Sequence, residues 1–405
     1  MIPRDSKRTP LTFATITPGA GLAAALQLSR SDLIAEVAAS RLRGRGGAGF
    51  PTSTKWNLAA AARVHEGQCK YVVCNADEGE PGTFKDRVLL LDHADLVFEG
   101  MTIAARAIGA LKGILYLRGE YAYMRHFLEA ELRRRREAGL LGTAIGHVAG
   151  FDFDIAIRIG AGAYVCGEET ALIESLEGNR GEPRNRPPFP VDTGFLGQPT
   201  VVNNVETLAA VTAILAKGAA WFCGIGSDQS TGFKLFSVSG DCRRPGVYEF
   251  PFAITVWELL EKVGGTDAKA VQVGGASGRC LSAPEFGRRI SFEDVATGGA
   301  IIVFGPQRDM LHVARNFMEF FVEESCGQCT PCRAGNVKLL EGIGMLERGT
   351  CSTAYLNELF ALCETMQIAS KCGLGQSSPN AFLSILHGFR DEIMGRTPVA
   401  VGGGR

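Results

Sequence analysis

The stretch K-Y-V-V-C-N-A-D-E-G-E-P-G-T-F-K-D-R, residues 70 to 87, decides the architecture. Its first part, Lys70 to Ala76, has the aromatic and β-branched content of a strand. It then breaks into an acidic loop carrying glycine and proline. In α/β folds, ligands bind in the crevice outside the carboxyl ends of the strands, so this junction marks a candidate site. Upstream, S-D-L-I-A-E-V-A-A-S (31 to 40) has helical spacing with a Ser/Asp start, and the glycine-rich loop R-L-R-G-R-G-G-A-G-F-P follows it. Downstream, helical and strand-like patterns alternate to about residue 165, which favours an α/β layer.

Beyond the loop E-P-R-N-R-P-P-F-P, which starts at Glu182, the pattern changes. K-L-F-S-V-S-G, G-V-Y-E-F, A-V-Q-V-G-G and A-I-I-V-F read as strands between Lys234 and Phe304, with a helix at V-W-E-L-L-E-K-V. After residue 310 the pattern is helical, with cysteines between the helices. Three units are expected: 1–225, N-terminal helices and an α/β domain; 226–305, a small α+β domain; and 306–405, a helical bundle.

The chain has 405 residues, 46% hydrophobic and 21% charged, with a formal net charge of −1. That balance gives no ground for nucleic-acid binding or for attraction to an anionic membrane. Four consecutive arginines, 133 to 136, are expected on a solvated helix face. The start, M-I-P-R-D-S-K-R-T-P, lacks the apolar stretch of a signal peptide, and the most apolar run, from Met101, contains Arg106 and Lys112. A cytoplasmic chain is expected, in which the 12 cysteines are ligands or buried thiols and not disulfides.

E-S-C-G-Q-C-T-P-C-R-A-G (324 to 335) places Cys326, Cys329 and Cys332 at a strict spacing. A C-x2-C-x2-C triplet with one remote cysteine is the pattern of a four-iron, four-sulfur cluster; zinc sites use paired C-x2-C or cysteine with histidine. Cys351, Cys363 and Cys372 compete for the fourth position. Cys363 falls within helical periodicity, where a small buried thiol packs. Cys372 lies in S-K-C-G-L-G, where glycines let backbone N–H groups approach cluster sulfurs, so it is the expected fourth ligand.

Gly44, Gly46 and Gly49 form a G-x-G-x-x-G whose context, helix before and F-P-T-S-T-K-W after, is not that of a dinucleotide fingerprint. Arg43 and Arg45 flank these glycines, so N–H and guanidinium groups are expected to share one anion there. I-G-A-G-A-Y-V-C-G-E-E-T-A-L-I-E-S-L-E-G, from Ile159, sets glycines before a helix, suited to phosphate or ribose. V-V-N-N-V-E-T-L offers paired asparagines at a helix start, with donor and acceptor on each side chain.

These four stretches and the cysteines, in this order, resemble one family: the NADH-oxidising flavoprotein subunit of respiratory complex I and its soluble relatives. Those relatives are the diaphorase subunits of NAD-linked hydrogenases and of NAD-dependent formate dehydrogenases. The likeness runs from about residue 30 to 385. It implies a Rossmann-like α/β FMN domain, a small ubiquitin-like α+β domain and a C-terminal helical bundle holding a 4Fe-4S cluster. By that resemblance FMN lies against Gly44, Arg45, Gly46, Gly47 and Lys55. Asn75, Asp77, Glu78, Tyr164, Gly167, Glu168, Asn203, Asn204 and Thr207 complete its site. NADH would stack over the flavin, with Phe50 and Phe189 sandwiching adenine and Glu80 and Glu169 at ribose or nicotinamide. Arg186 stands where many relatives have lysine, and an aromatic often found near Leu58 is missing. The cluster ligands would be Cys326, Cys329, Cys332 and Cys372.

The resemblance implies an NADH-dependent diaphorase that hands electrons through the cluster to other subunits: a small iron–sulfur protein, expected to carry a 2Fe-2S centre, and a further catalytic subunit. C-G-L-G-Q-S-S-P looks more like the hydrogenase and formate dehydrogenase branch than like complex I. A thioredoxin-like domain that many of those relatives carry is expected on another subunit or absent. Two rival classes, a non-catalytic electron-transfer subunit and a flavin enzyme acting alone on a small organic substrate, would leave either the intact glycine loops or the cluster without a purpose.

Overall fold

A computed structural model describes residues 11 to 395. The polar first ten residues, and the outer ends of the first and last expected units, lie outside the described residues. Lys70–Ala76 forms the strand β1, one of four in a parallel sheet with β2 (Ala110–Leu117), β3 (Asp154–Ile159) and β4 (Thr200–Asn204), in the order β3-β2-β1-β4. The chain therefore moves outward from β1 to β2 and β3, then returns to pair β4 on the other side of β1. The point where the order reverses lies between β1 and β4, where Asn75 and Asn204 are register partners.

Period-2 alternation assigns the two faces. Val72, Cys74, Ala76, Leu115, Leu117 and Val201 face one core, where helices Ala94–Ile108 and Val205–Lys217 pack. Tyr71, Val73, Ile114, Tyr116 and Val202 face a second core that continues through helix Glu169–Leu176 into the C-terminal helices. Parallel sheets need both faces covered, and the run of apolar residues in β1 reflects that. The run from Met101 is split: its first part, to Ile108, completes helix Ala94–Ile108, which is mostly buried in the first core, and its second part, with Lys112, is β2.

The second sheet comprises β5 (Phe233–Gly240), β6 (Gly246–Pro251), β7 (Ala270–Val273), β8 (Arg279–Ser282) and β9 (Ala300–Phe304), ordered β6-β5-β9-β7-β8. β5 and β9 are parallel at its centre and the other pairs antiparallel. Helix Val256–Val263 packs on it, started by a capping box between Thr255 and Glu258. That mixed sheet with one crossing helix agrees with the ubiquitin-like expectation. The short strand β8 carries no strand-like run of its own in R-C-L-S, and pairing with β7 creates it.

The remaining chain is helical: Met310–Glu324, Thr330–Glu347, Thr353–Ala369 and Pro379–Gly388 share the second core. No helix among the described residues is long and apolar enough to cross a membrane. One expectation needs correction. The arginine run lies on helix Arg125–Glu137, yet Arg135 is buried, with Asp95 at 3.6 Å. Helical geometry turns one residue of any four toward the core.

Candidate functional site

The four motif stretches meet at the carboxyl ends of β1 and β4. The glycine-rich loop is fastened there by the Arg45 N–H, which donates to Thr207 Oγ1 at 2.9 Å. Gly46 rests on the next element: a Cβ there would stand 3.1 Å from Asn204 Cβ. Asn75 donates to the Gly167 carbonyl at 2.8 Å, tying β1 to the turn that precedes helix Glu169–Leu176. Lys55 joins Glu169 at 2.7 Å and the Val202 carbonyl at 3.1 Å. Glu168 caps its helix, accepting from the Thr170 and Ala171 N–H groups.

Several of the expected residues shape this crevice and do not face it. Glu78 accepts from the Asp86 and Arg87 N–H groups and from the Tyr121 hydroxyl. Burial, with Asp86 nearby, pushes its carboxyl up to about 7. Asn203 accepts from the Trp56 indole at 2.9 Å. The expectation that the arginine guanidinium groups share an anion is corrected. Arg45 is buried, donates to the Thr231 carbonyl at 2.7 Å and lies 4.6 Å from the centre of the Phe252 ring. Burial lowers it to about 10. Arg43 donates to the Gly49 carbonyl at 2.7 Å and covers Phe292. A guanidinium that satisfies loop carbonyls makes the loop rigid.

Asp77 behaves differently. Its Oδ2 is buried with no hydrogen-bond partner. Desolvation raises its carboxyl to about 7. That oxygen lies 3.6 Å from where a Cβ on Gly167 would stand. Phe50 and Phe189 are 48% and 50% exposed, unusual for phenylalanine, so both rings are free to stack on a flat ligand. Arg186 Nη1 stands 3.7 Å from Glu168 and 3.9 Å from Glu169.

Beneath the loop is a cluster of buried charges that no sequence motif assigns. Lys85 contacts Asp86 at 2.6 Å and Glu206 at 2.9 Å, Lys234 also pairs with Glu206, and Asn204 donates to Asp86 at 2.6 Å. Burial pulls the Lys234 ammonium down to about 7 against the attraction of Glu206. K-D-R and V-E-T-L lie within the motif stretches, but Lys234, from β5, carries no local signal.

The cysteine triplet and Cys372 come together around one cavity, which Val165, Pro183, Ser325, Gln328, Lys371 and Leu374 complete. Cys329 precedes helix Thr330–Glu347, and Cys332 lies in its first turn. Cys332 Sγ is 3.3 Å from Ser325 Oγ and 3.4 Å from Asn336 Nδ2. At Gly375 a Cβ would stand 2.8 Å from Cys332 Cβ, so the glycines after Cys372 let the two segments close. Cys363 is buried inside helix Thr353–Ala369, as its periodicity indicates. Cys351 is half-buried and not among the residues around the cavity. Among the described residues no three His, Cys, Asp or Glu side chains are arranged to hold a single metal ion. The four thiols surround a space instead, the arrangement that suits ligands placed at the corners of a cluster.

Residues 37–213 match the model of the Nuo51 FMN-binding domain, and residues 312–396 that of the NADH-ubiquinone oxidoreductase-F iron-sulfur binding region. The chain is 53% identical over 365 residues to the alpha subunit of the NAD-reducing hydrogenase HoxS of Cupriavidus necator, covering 90% of this chain and 60% of the relative. The chain belongs to this family of NADH oxidoreductase flavoprotein subunits. It is also 41% identical over 374 residues to a subunit of the NADH-quinone oxidoreductase of Rhizobium meliloti, covering 90% of this chain and 88% of the relative.

A solved NAD+-reducing NiFe hydrogenase in the H2-reduced state has the same fold, with TM-score 0.88 and 44% identity over 96% of this chain and 67% of that one. The chain spans three-fifths of the length of the HoxS relative. Family membership assigns it an FMN-binding domain, an iron–sulfur region and oxidoreductase chemistry, and its named relatives are subunits of larger enzymes. The residues present fit both groups. The crevice at the reversal point has an orphaned carboxylate oxygen and side-chain-free glycines where a ligand would approach, and the cavity has four thiols from two distant segments.

Proposed function

We propose that this chain is an NADH-oxidising diaphorase subunit that takes electrons in at the glycine-lined crevice and sends them out through the cysteine cavity. One observation carries this reading. Tyr164 and Val165 are consecutive, and Tyr164 hydrogen-bonds the acidic loop at the crevice while Val165 lines the cysteine cavity. The two sites are therefore neighbours across a single turn of chain. FMN bound at the first supplies the conversion of a two-electron hydride into single electrons, and a 4Fe-4S cluster bound at the second carries them one at a time.

The chain's own residues place and insulate these groups. Gly44, Gly46 and Gly47 form the floor for FMN, while Arg45, Thr207, Asn203 and Glu78 hold that floor in shape. Asn75, Asp77, Tyr164, Gly167, Glu168, Asn204 and Lys55 close the sides. Phe50 and Phe189 offer their rings to the adenine of NADH, Glu169 its carboxylate to ribose or nicotinamide, and Arg186 a cation to the pyrophosphate. Glu80, expected at the nucleotide as well, has both its oxygens engaged by Tyr164 and Ser277. Cys326, Cys329, Cys332 and Cys372 hold the cluster.

Units 1–225, 226–305 and 306–405 would serve as flavin domain, spacer and cluster domain. The assembly we favour is a cytoplasmic NAD-linked hydrogenase, in which a small 2Fe-2S subunit and a hydrogenase subunit take part. The 53% identity to a hydrogenase subunit, against 41% to a quinone-reductase subunit, supports the hydrogenase ahead of complex I, and a formate dehydrogenase is the other alternative.

The test is a pair of variants purified anaerobically and assayed for FMN and acid-labile sulfide. Cys372→Ala is expected to lose the broad visible absorption of the cluster while keeping FMN, and Cys363→Ala to keep both. Loss of the cluster from the second variant alone overturns the ligand set.

A further inference from the structure

Glu80 sits at the centre of a hydrogen-bond chain that crosses all three structural layers. Its Oε2 accepts from the Tyr164 hydroxyl at 2.7 Å and from Ser277 Oγ at 2.6 Å, and its Oε1 accepts from the Ser277 N–H at 3.1 Å. Ser277 belongs to the turn between β7 and β8. Its carbonyl accepts from Asn380 on helix Pro379–Gly388 at 2.9 Å, and Asn380 Oδ1 accepts from Gln367 on helix Thr353–Ala369 at 3.1 Å. The Tyr164 ring lies 5.1 Å, centre to centre, from Phe320 on the helix that leads into the cysteine triplet. The turn is built to receive this carboxylate. Gly275 has φ +67°, and a Cβ there would come within 2.5 Å of Glu80 Cγ.

We propose that Ser277 is a positioning residue: by fixing the Glu80 carboxylate it sets how the acidic loop meets the flavin and how that loop is held to the cluster-bearing helices. This rests on the two cofactor sites proposed for the chain. A carboxylate accepting three donors keeps its charge where burial opposes it. Burial raises the Glu80 carboxyl, and the Ser277 hydroxyl is the strongest of the groups pulling it back. Charge-assisted bonds of this kind are roughly twice as strong as neutral ones. Without that hydroxyl the carboxylate holds a smaller negative charge beside the crevice, and a less negative neighbour makes electron uptake by the flavin easier. Ser277 is assigned to neither cofactor site, so its effect would be transmitted through Glu80.

The experiment is a potentiometric titration of the flavin, followed by absorbance, in the loaded wild-type chain and in Ser277→Ala, Ser277→Thr and Tyr164→Phe. FMN and sulfide are assayed first. A wild-type chain that holds neither refutes the cofactor sites themselves and not this inference. In the loaded chains the flavin midpoint is expected to move to a more positive potential in Ser277→Ala and in Tyr164→Phe, each of which removes one donor to Glu80. Ser277→Thr, which keeps the hydroxyl, is expected to restore the wild-type midpoint. Should Ser277→Ala fail to fold, Tyr164→Phe reads the same bond network. Unchanged midpoints in the folded Ala and Phe variants, or a Thr variant that shifts as far as Ala, overturn the proposal. A merely structural serine would lower stability in the Ala variant and leave the potential where it was.

Discussion

At the scale of single residues, the crevice is made of groups whose environments oppose their ordinary charge. Asp77 is the clearest, with an unpartnered oxygen and a carboxyl near 7 against 3.8 for a free one. Between those two values the unfolded chain ionises this group and the folded chain does not. Stability from Asp77 is therefore complete below about pH 4 and is lost as pH rises toward 7. Asp77→Asn removes the effect. In the cofactor-free chain it should be neutral near pH 4 and stabilising by about 1–2 kcal/mol at pH 8, the full shift being discounted because the residue is partly exposed. Urea unfolding at both pH values measures this, and a gain that is equal at the two would show that ionisation is not its source. The same residues show what the letters could convey. Asp77 and Gly167 are legible as residues of the crevice because a turn of glycines and acids at a strand end has few other uses. The inward roles of Arg45 and Asn203 are not, because Thr231 and Trp56, their partners, lie far away in sequence.

At the scale of elements, the buried charge cluster joins the two sheets: Lys234 comes from β5, Glu206 opens the helix that follows β4, and Lys85 opens the helix that follows the acidic loop. Its members are not equivalent. Lys234→Met leaves Glu206 paired with Lys85 at 2.9 Å and removes an ammonium already lowered to about 7, so we expect a loss of about 1–2 kcal/mol. Glu206→Gln strands the Lys234 ammonium, leaves Lys85 to Asp86 alone at 2.6 Å, and removes the carboxylate facing Arg45, so it should cost about 3–5 kcal/mol. Denaturant midpoints of the two variants at pH 7 decide this, and a smaller loss for Glu206→Gln would reverse the account of the cluster. The elements themselves are largely readable. Helices with Ser, Thr or Asp starts and the apolar strands β1, β5 and β9 stand out by their period. The strand β8 and the inward turn of Arg135 do not, because one depends on a partner strand and the other on which side of a helix the core lies.

At the scale of the whole molecule, a cradle at the reversal point of a parallel sheet and a thiol cavity between helices have become neighbours, although Gly44 and Cys372 stand at opposite ends of the chain. The second sheet serves as the joint, since Ser277 reaches the acidic loop and Asn380 reaches back to Ser277. Cys372 is singled out among the remaining cysteines by its glycines, and the structure brings it to the cavity with the triplet. The passage between the sites is not legible, because no single stretch contains it. The most direct measurement is an anaerobic titration of the loaded chain with NADH alone, following flavin absorbance and the low-temperature electron paramagnetic resonance of the cluster. Bleaching of the flavin band together with appearance of the reduced-cluster signal is the expected result; a chain in which dithionite reduces both centres but NADH reduces neither would contradict it.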